Sequence, residues 1–487
     1  MPESDDDDRP AGKRICHTCV KEAFISNVIK SAGKTSGCDY CGVTAPSVTI
    51  EELADRIEQA FDEHYTRTPS QPDSWQERMM ADRESRYVWE REGARAADAI
   101  QDAAGIEEAP AADVLEILQV RHGDFDAAAM GEECEFDDDA HYEEIGPDNQ
   151  AWHEEWNDFE HSIKTNARFF SPTAVEHLAA VFGGIDKLRT HDKRPLVVEA
   201  GPGTALEHLY RARVFQNDDK LQEALCRPDL HLGSPPRNAA RAGRMNAQGI
   251  SVFYGATNES VAVAEVRPPV GSKVAVAKFA ITRKLRLLDL TALEDAHDTG
   301  SIFDPSLKHR LERVGFLRTL GGRMASPVMP DDEAVEYLPT QAVADFLATM
   351  NEPRLDGIIF PSAQTKDGRN VVLLHRAARV EPLTLPEGTK IEASTGYGTD
   401  EGWEVDYSVH ETVPAVKPSV LTDPHDGFPG IVARHLATPP RHDDDVREPA
   451  LRVDATSVMV HQVARVEVNT TPFSVHRHRS AERKPKF

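Results

Sequence analysis

The sequence has few cysteines, no long apolar run and no excess of positive charge, and each shortage excludes a class of protein. Six cysteines among 487 residues are too few for the disulfide framework of a small secreted fold. No apolar run approaches the roughly 18 residues that a membrane-spanning helix needs. The first residues are acidic and lack the apolar segment of a secretory signal. We therefore expect a cytoplasmic protein without a membrane segment.

Acidic residues dominate the charge of the chain. There are 82 aspartates and glutamates against 55 lysines and arginines, which gives a formal net charge of −27. An acidic surface repels phosphate backbones, so we do not expect nucleic acid as a partner. The acidic residues are concentrated toward the front, in residues 5–8 and 132–144, and such runs are typical of solvated faces or disorder.

The pattern of the first 190 residues predicts helices. Thr49 and Glu52 have the spacing of a capping box, and the apolar residues after them recur at helical intervals. We expect helix in most of the segment from Glu51 to Leu188, including Glu77–Ala103, where charged and apolar positions alternate. Strand-like alternation is scarce in this part of the chain.

The character of the sequence changes near residue 193, where short β-type runs begin to alternate with helical stretches, as in an α+β domain. The predicted strands are 209–215, 250–254, 274–281, 285–290, 357–361 and 371–375, and the predicted helices between them are 259–266 and 340–350. The length suits two to four domains. The predicted parts are a disordered acidic tail (1–13), a zinc ribbon (14–48), an α-helical region (49–190), an α+β domain (194–386) and a C-terminal extension of unknown role (387–487).

Four cysteines have the spacing of a metal site. They form two Cys-x₂-Cys pairs separated by eighteen residues and are Cys16, Cys19, Cys38 and Cys41. Each pair can turn both thiolates onto one metal ion, and two pairs complete a tetrahedral sulfur set for structural Zn²⁺. A redox pair and two disulfides are the alternatives, and four thiolates leave no open position for metal chemistry.

Four segments of the α+β domain carry polar residues suited to chemistry. Arg211 and Arg213 alternate on a predicted strand, Gly243–Asn246 precedes a strand that ends near Tyr254, Glu265 lies in an apolar helical run, and Ser362 follows Pro361. Taken singly, each residue also has an ordinary structural explanation, such as an ion pair, a packed ring, a surface carboxylate or a turn.

Together these segments resemble the RES domain family. The resemblance rests on Leu-Tyr-Arg-Ala-Arg from Leu209, Gly-Arg-Met-Asn from Gly243, Phe-Tyr-Gly-Ala from Phe253, Ala-Glu-Val-Arg-Pro from Ala264, and Ile-Phe-Pro-Ser from Ile359. The family includes the toxins of RES–Xre toxin–antitoxin pairs. It implies an ADP-ribosyltransferase-like fold and an activity that depletes NAD⁺ as a substrate. The implied catalytic residues are Arg211, Tyr254, Glu265 and Ser362, with Arg213 as a rival for the arginine and with Arg244 and Asn246 as further substrate contacts.

The front of the chain is similar to the zinc-ribbon and helical region, of the HEPN type, that precedes some RES domains. Some relatives of that helical class are ribonucleases with an Arg-x₄₋₆-His motif. The motif is absent between Glu51 and Leu188, so ribonuclease activity is not supported. The whole chain is therefore expected to be a multidomain protein, with a zinc ribbon and helical region followed by an α+β RES domain.

The residue types suit cleavage of the nicotinamide–ribose bond. Positive charge develops on the ribose as the neutral nicotinamide leaves, and a carboxylate such as Glu265 stabilises it. A guanidinium such as Arg211 offers two donors to a pyrophosphate, and the ring of Tyr254 can stack on nicotinamide. Ser362 has no evident base beside it and is expected to orient a group rather than to attack.

Three functions are compatible with the sequence. The first is an NAD⁺ glycohydrolase or phosphorylase that acts as an intracellular toxin or defence effector. The second is a mono-ADP-ribosyltransferase that modifies a protein or nucleic acid, and the third is a non-enzymatic interaction module. A toxin needs restraint, so an Xre-like antitoxin or autoinhibition by residues 1–188 is a further hypothesis, and a homo-oligomer is possible.

Overall fold

The computed structural model describes residues 10–400, 402–414 and 445–479, apart from the side chains of residues 11, 127 and 128. Most of the predicted acidic tail therefore lies outside the described residues, and Pro10–Gly12 form a short 3₁₀ helix. The chain divides into two compact units, Met1–Leu196 with Ala292–Met324, and Val197–Thr291 with Ala325–Phe487. None of the helices in the described ranges is both long and apolar enough to cross a membrane.

The first unit combines helices with small antiparallel sheets. Its helices are α1 (Ala23–Ala32), α2 (Ile50–His64), α3 (Ser74–Ala81), α4 (Ala96–Ala104), α5 (Glu108–His122), α6 (Phe125–Ala129), α7 (Gln150–Thr165), α8 (Pro172–Phe182) and α12 (Leu307–Ala325). Its strands are β1 (Arg14–Cys16), β2 (Lys34–Gly37), β3 (Thr44–Thr49), β4 (Tyr65–Arg67), β5 (Ala94–Arg95), β6 (His141–Glu144), β7 (Arg189–Thr190) and β13 (Ala296–His297).

The cysteine-bearing segment is a three-stranded sheet in the order β1-β3-β2, with α1 in the spacer between the two cysteine pairs. The expected ribbon is therefore accompanied by a helix. Ile25 and Ile29 of α1 are buried in the same core cluster as Ile50 and Leu53 of α2. The segment thus shares a core with the helices that follow it, which supplies the apolar burial that so short a sheet lacks by itself.

The predicted capping box is confirmed. The Thr49 hydroxyl accepts a hydrogen bond from the Glu52 backbone N–H at 3.1 Å, and the Glu52 carboxylate accepts one from the Thr49 N–H at 3.0 Å. Two of the unpaired donors at the start of α2 are thereby satisfied. The apolar face of α2, which includes Ile57 and Phe61, is buried as its spacing predicts.

The helix expected within Glu77–Ala103 forms at both ends of this segment but not in its middle part. Helix α3 ends at Ala81, and helix resumes only at Ala96 in α4. Between them the Arg91 guanidinium donates to the Thr68 carbonyl at 2.7 Å and to the Glu133 carboxylate at 2.6 and 2.7 Å. These tertiary contacts, together with the missed sheet β4-β6-β5, override the local helix propensity.

The second unit is built on a mixed eight-stranded sheet. The sheet consists of β8 (Val197–Ala200), β9 (His208–Phe215), β10 (Phe253–Ala256), β11 (Lys273–Ile281), β12 (Leu285–Asp289), β14 (Gly357–Pro361), β15 (Arg369–Leu373) and β20 (Leu451–Gln462). The unit also contains two two-stranded sheets, in which β16 (Lys390–Ser394) pairs with β19 (Ser408–Thr412) and β17 (Tyr397–Thr399) pairs with β18 (Gly402–Glu404). Its helices are α9 (Asp218–Cys226), α10 (Pro228–His231), α11 (Glu259–Glu265), α13 (Glu333–Glu336) and α14 (Leu338–Thr349).

The strand order of this sheet is β20-β11-β9-β10-β15-β14-β12-β8. Only β12 and β14 pair in parallel among the described strands of the sheet. The edge strand β20 comes from the C-terminal extension and pairs with β11 over most of the length of β11. The C-terminal extension, whose role the sequence left unknown, therefore completes the sheet and covers its β11 edge, which limits pairing with other chains.

The predicted strands and the two predicted helices are confirmed, with small shifts at their ends. The largest shift is at the strand predicted for 250–254, which begins only at Phe253. The Asn246 amide donates to the Ile250 carbonyl at 3.0 Å, and the Ser251 hydroxyl donates to the Pro235 carbonyl at 2.7 Å. These side-chain bonds hold the segment before Phe253 in a loop.

Candidate active site

The central sheet of the second unit opens between β9 and β10. The two strands pair only at Tyr210 and Ala256, whereas β9 pairs with β11 along its whole length. A cavity of about 290 Å³ lies where they diverge, and its lining includes Arg211, Tyr254 and Glu265. The structure thus brings together three predicted catalytic residues from β9, β10 and α11.

Arg211 presents an unsatisfied donor at this cavity. Its guanidinium lies over the Phe253 ring, 5.0 Å from the ring centre. Its Nη1 is shielded from solvent and has no hydrogen-bond partner among the described residues. Burial, and secondarily the charge of Arg213, lowers the pKa of Arg211 to about 10, so the side chain is still a cation at neutral pH. A half-buried cation with a shielded and unpaired N–H is suited to an anionic ligand.

Tyr254 has its hydroxyl fixed by the protein. The hydroxyl donates to Asn246 Oδ1 at 3.0 Å and accepts from the Met245 backbone N–H at 2.9 Å. Burial raises the pKa of Tyr254 to about 12, so the phenol is neutral at physiological pH. The ring is then the part of Tyr254 available to a ligand, and stacking suits it better than proton transfer.

Asn246 holds the hydroxyl of Tyr254 in place. Its side chain is buried, and its amide nitrogen donates to the carbonyls of Arg241, Ala247 and Ile250 at 2.9 to 3.2 Å. Its oxygen accepts the Tyr254 hydroxyl. The structure places Asn246 against the tyrosine, and its role as a direct substrate contact stays a prediction.

Glu265 and Ser362 form a hydrogen-bonded pair. Glu265 is the last residue of α11, a helix whose Val261 and Ala262 are buried in an apolar cluster. Ser362 follows β14, and its hydroxyl donates to Glu265 Oε1 at 2.5 Å. The same hydroxyl accepts from the backbone N–H groups of Gln364 and Thr365 at 3.0 and 3.2 Å. The hydroxyl proton is therefore directed at the carboxylate, which suits an orienting role for Ser362.

Arg213 and Arg244 are not among the residues that line this cavity. Arg213 donates to the His231 carbonyl at 2.9 Å, and its guanidinium lies over the Phe215 ring. The Arg244 guanidinium lies 5.2 Å from the centre of the Tyr337 ring. On geometry Arg211, rather than Arg213, is the arginine of the cavity.

The sequence-based prediction did not include Tyr210, Phe360 and Asn370, which also line the cavity. Asn370 is a buried polar residue of β15 whose following residues in the strand are apolar. A polar residue directly before the apolar run Val371–Leu373 is the signal that the sequence offered for it.

Comparison with known families adds to this geometry. Residues 209–391 match the family model of the RES domain. The chain carries a RES domain. All of the site residues described above lie within the matched segment, and RES domain proteins are known as NAD⁺-degrading toxins. No curated protein and no solved structure matches the chain.

The four cysteines of the first unit form a separate cluster. Their sulfur atoms lie within 4.8 Å of one another, with Cys16 Sγ 3.7 Å from Cys19 Sγ and 3.6 Å from Cys41 Sγ. A tetrahedral zinc ion with Zn–S bonds of about 2.3 Å needs sulfurs about 3.8 Å apart. The Cys16 backbone N–H also donates to Cys38 Sγ at 3.3 Å. The cluster therefore fits a zinc ion.

Proposed function

We propose that the RES domain cleaves the nicotinamide–ribose bond of NAD⁺. The observation that carries this proposal is the convergence of Arg211, Tyr254 and Glu265 on one cavity, with Ser362 bonded to Glu265. In the hydrolytic form, water adds to the ribose carbon, and the products are ADP-ribose, nicotinamide and a proton. In the phosphorolytic form, phosphate takes the place of water and ADP-ribose 1″-phosphate is released.

Each side chain has a role in this proposal. The Tyr254 ring stacks on the nicotinamide, while Arg211 Nη1 donates to a pyrophosphate oxygen. Ser362 occupies Glu265 Oε1, so Oε2 is the oxygen left to hold a ribose hydroxyl and to stabilise the positive charge on the ribose ring. The cavity, at about 290 Å³, lies at the lower end of the ~300–1,000 Å³ of small-molecule sites, which suits the nicotinamide–ribose half of the dinucleotide.

The test is an assay of the purified full-length protein with NAD⁺, with and without phosphate. The wild type is compared with Glu265→Gln, which keeps the size of the side chain, and with Glu223→Gln, a control at an exposed carboxylate of α9. We expect nicotinamide release from the wild type and the control, and at least a hundredfold less from Glu265→Gln. Intact NAD⁺ under every acceptor condition would contradict the proposal.

The same assay distinguishes a mono-ADP-ribosyltransferase from the proposed NAD⁺-cleaving enzyme. NAD⁺ labelled in its adenylate half yields free labelled ADP-ribose, or its 1″-phosphate, in the proposed reaction. Label that appears instead on a protein or nucleic acid, with equal release of nicotinamide, would establish a mono-ADP-ribosyltransferase. If NAD⁺ is untouched while partner binding is the same with and without Glu265→Gln, the non-enzymatic module is the better description.

We also propose that Cys16, Cys19, Cys38 and Cys41 hold one structural Zn²⁺. The sulfur spacing supports this, and four thiolates leave no open position for substrate. Action as a toxin or defence effector, restrained by an Xre-like antitoxin, is proposed from the family alone. It is tested by measuring whether growth arrest on expression is relieved by a candidate antitoxin.

A further inference from the structure

A second and larger cavity lies beside the first. Its volume is about 1180 Å³, and its lining includes Ala264 and Arg267 next to the end of α11, and Gln364 in the turn after Ser362. The last two residues of β20, His461 and Gln462, and the segment from Val463 to Asn469 after it form another part of its wall. The two cavities therefore share the end of α11, with Glu265 lining the first and Ala264 and Arg267 lining the second.

The first cavity is too small for a dinucleotide. Its volume of about 290 Å³ is matched to one nucleoside, whereas sites for drug-sized ligands extend to ~1,000 Å³. If the nicotinamide ribose occupies this cavity, the adenosine end of NAD⁺ must lie outside it. The second cavity, beyond the end of α11, is large enough for a nucleotide.

The second cavity has a fixed cation in its lining, Arg267, two residues after the end of α11. Arg267 has a φ of +42°, a region that residues with side chains rarely adopt and that persists only where the surroundings impose it. The Gln364 amide, with its oxygen toward Arg267, accepts from Nε at 3.1 Å and from Nη2 at 3.0 Å. The guanidinium is thus held in one orientation, and its Nη1, which has no hydrogen-bond partner in the described part of the chain, is left for a ligand.

The charges near Arg267 favour a phosphate path. The positive charges of Arg244 and Arg267 both act on the phenol of Tyr337, opposing the burial that raises the pKa of Tyr337. Arg244 acts likewise on Tyr254, at the first cavity. Arg244 and Arg267 therefore both lie near the phenol of Tyr337, and two neighbouring cations favour a phosphate.

We propose that the second cavity is the subsite for the adenosine monophosphate half of NAD⁺, with Arg267 as its phosphate contact and the segment after β20 as its outer wall. Val463, Val466 and Val468 of that segment line the cavity and supply apolar surface for the adenine ring. These residues lie outside the segment 209–391 that matches the RES family, so this part of substrate recognition belongs to the C-terminal extension. The inference rests on the proposed cleavage of NAD⁺.

The test compares NAD⁺ with nicotinamide mononucleotide, which lacks the adenylate half. Removal of residues 464–487 leaves β20 and Val463 intact, and we expect it to raise KM for NAD⁺ at least tenfold while leaving kcat/KM for the mononucleotide within about twofold. Arg267→Gln is expected to raise KM for NAD⁺ roughly tenfold or more, the size of a charge-assisted hydrogen bond to phosphate. Arg452→Gln, which removes an exposed cation of β20 paired with Glu381, is the control and should change neither substrate.

An unchanged preference for NAD⁺ over the mononucleotide in both the truncated chain and Arg267→Gln would overturn the subsite. Equal losses with both substrates would also overturn it, since they indicate damage to the shared cavity. Calorimetry with ADP-ribose provides a measurement that needs no turnover. If the wild type cleaves neither substrate, the proposed reaction is wrong, and the subsite then stands only if ADP-ribose binds the wild type and not the truncated chain.

Discussion

Replacing Arg211 by methionine should stabilise the protein and abolish its activity. The Arg211 guanidinium is held in the cavity with an unpaired Nη1, and its pKa is lowered to about 10 mainly by burial. One pKa unit corresponds to about 1.4 kcal/mol, so confinement of the charged form costs the folded protein about 3 kcal/mol at most. Partial hydration of the half-buried side chain reduces this, and we expect a gain of about 1–2 kcal/mol from Arg211→Met.

The sign of the pH dependence of stability follows from the direction in which folding shifts the pKa of Arg211. A base whose pKa is lowered by folding destabilises the folded state while it is protonated, and the penalty fades as the pH rises through about 10. The stability difference between Arg211→Met and the wild type should therefore be constant from pH 6 to 8 and shrink above pH 10. Thermal unfolding at several pH values measures it, with an expected rise of roughly 2–4 °C per kcal/mol for a unit of this size.

Arg213→Met is the matched control, two residues along the same strand. Arg213 is exposed and donates to the His231 carbonyl, so its loss should leave the stability unchanged or slightly lower. ADP-ribose should stabilise the wild type and Arg213→Met but not Arg211→Met. If Arg211→Met is less stable than the wild type by 1 kcal/mol or more, or still binds ADP-ribose, the proposal that Arg211 is held ready to bind an anion is refuted.

Three further predictions concern the other residues. Ser362→Ala should lower kcat by roughly 10- to 100-fold with KM within about threefold, because it removes a charge-assisted hydrogen bond to Glu265. Steady-state kinetics measures both constants, and a change in KM alone would refute the prediction. Tyr254→Phe should keep most of the activity but lose about 1–2 kcal/mol of stability, since Asn246 and the Met245 N–H lose their hydrogen-bond partner. Tyr254→Ala should be inactive. Equal activities of the two variants would contradict stacking of the ring on nicotinamide. Chelation of zinc should lower the unfolding temperature of the protein and leave NAD⁺ cleavage at low temperature intact. Metal analysis should find one zinc ion per chain in the wild type and none in Cys16→Ser.

The features that the sequence predicted well are those set by local pattern. The capping box at Thr49 and Glu52 and the apolar faces of α2 and β11 depend on spacing within a few residues. The pairing of cysteines on one metal-sized cluster follows from two short knuckles. In the site, Arg211, Tyr254 and Glu265 were named from motifs, and the fold brings them to one cavity.

The missed features depend on contacts between distant segments. Nothing in the local pattern of β9 and β10 indicates that the two antiparallel strands pair only at Tyr210 and Ala256 and are separated elsewhere. The closure of the sheet by β20 needs a partner strand about 180 residues earlier. The hydrogen bond between Asn246 and Tyr254 likewise depends on how a loop folds back, and the motif alone favoured a substrate contact for Asn246.

The central claim is tested most directly by NAD⁺ and nicotinamide levels in cells after induction of the wild-type chain beside Glu265→Gln. The account predicts that NAD⁺ falls and nicotinamide rises within minutes of wild-type expression, and that both stay constant with equal amounts of the variant. Steady NAD⁺ with both proteins, although the wild type is folded and zinc-loaded, would contradict it, as would an equal fall with both.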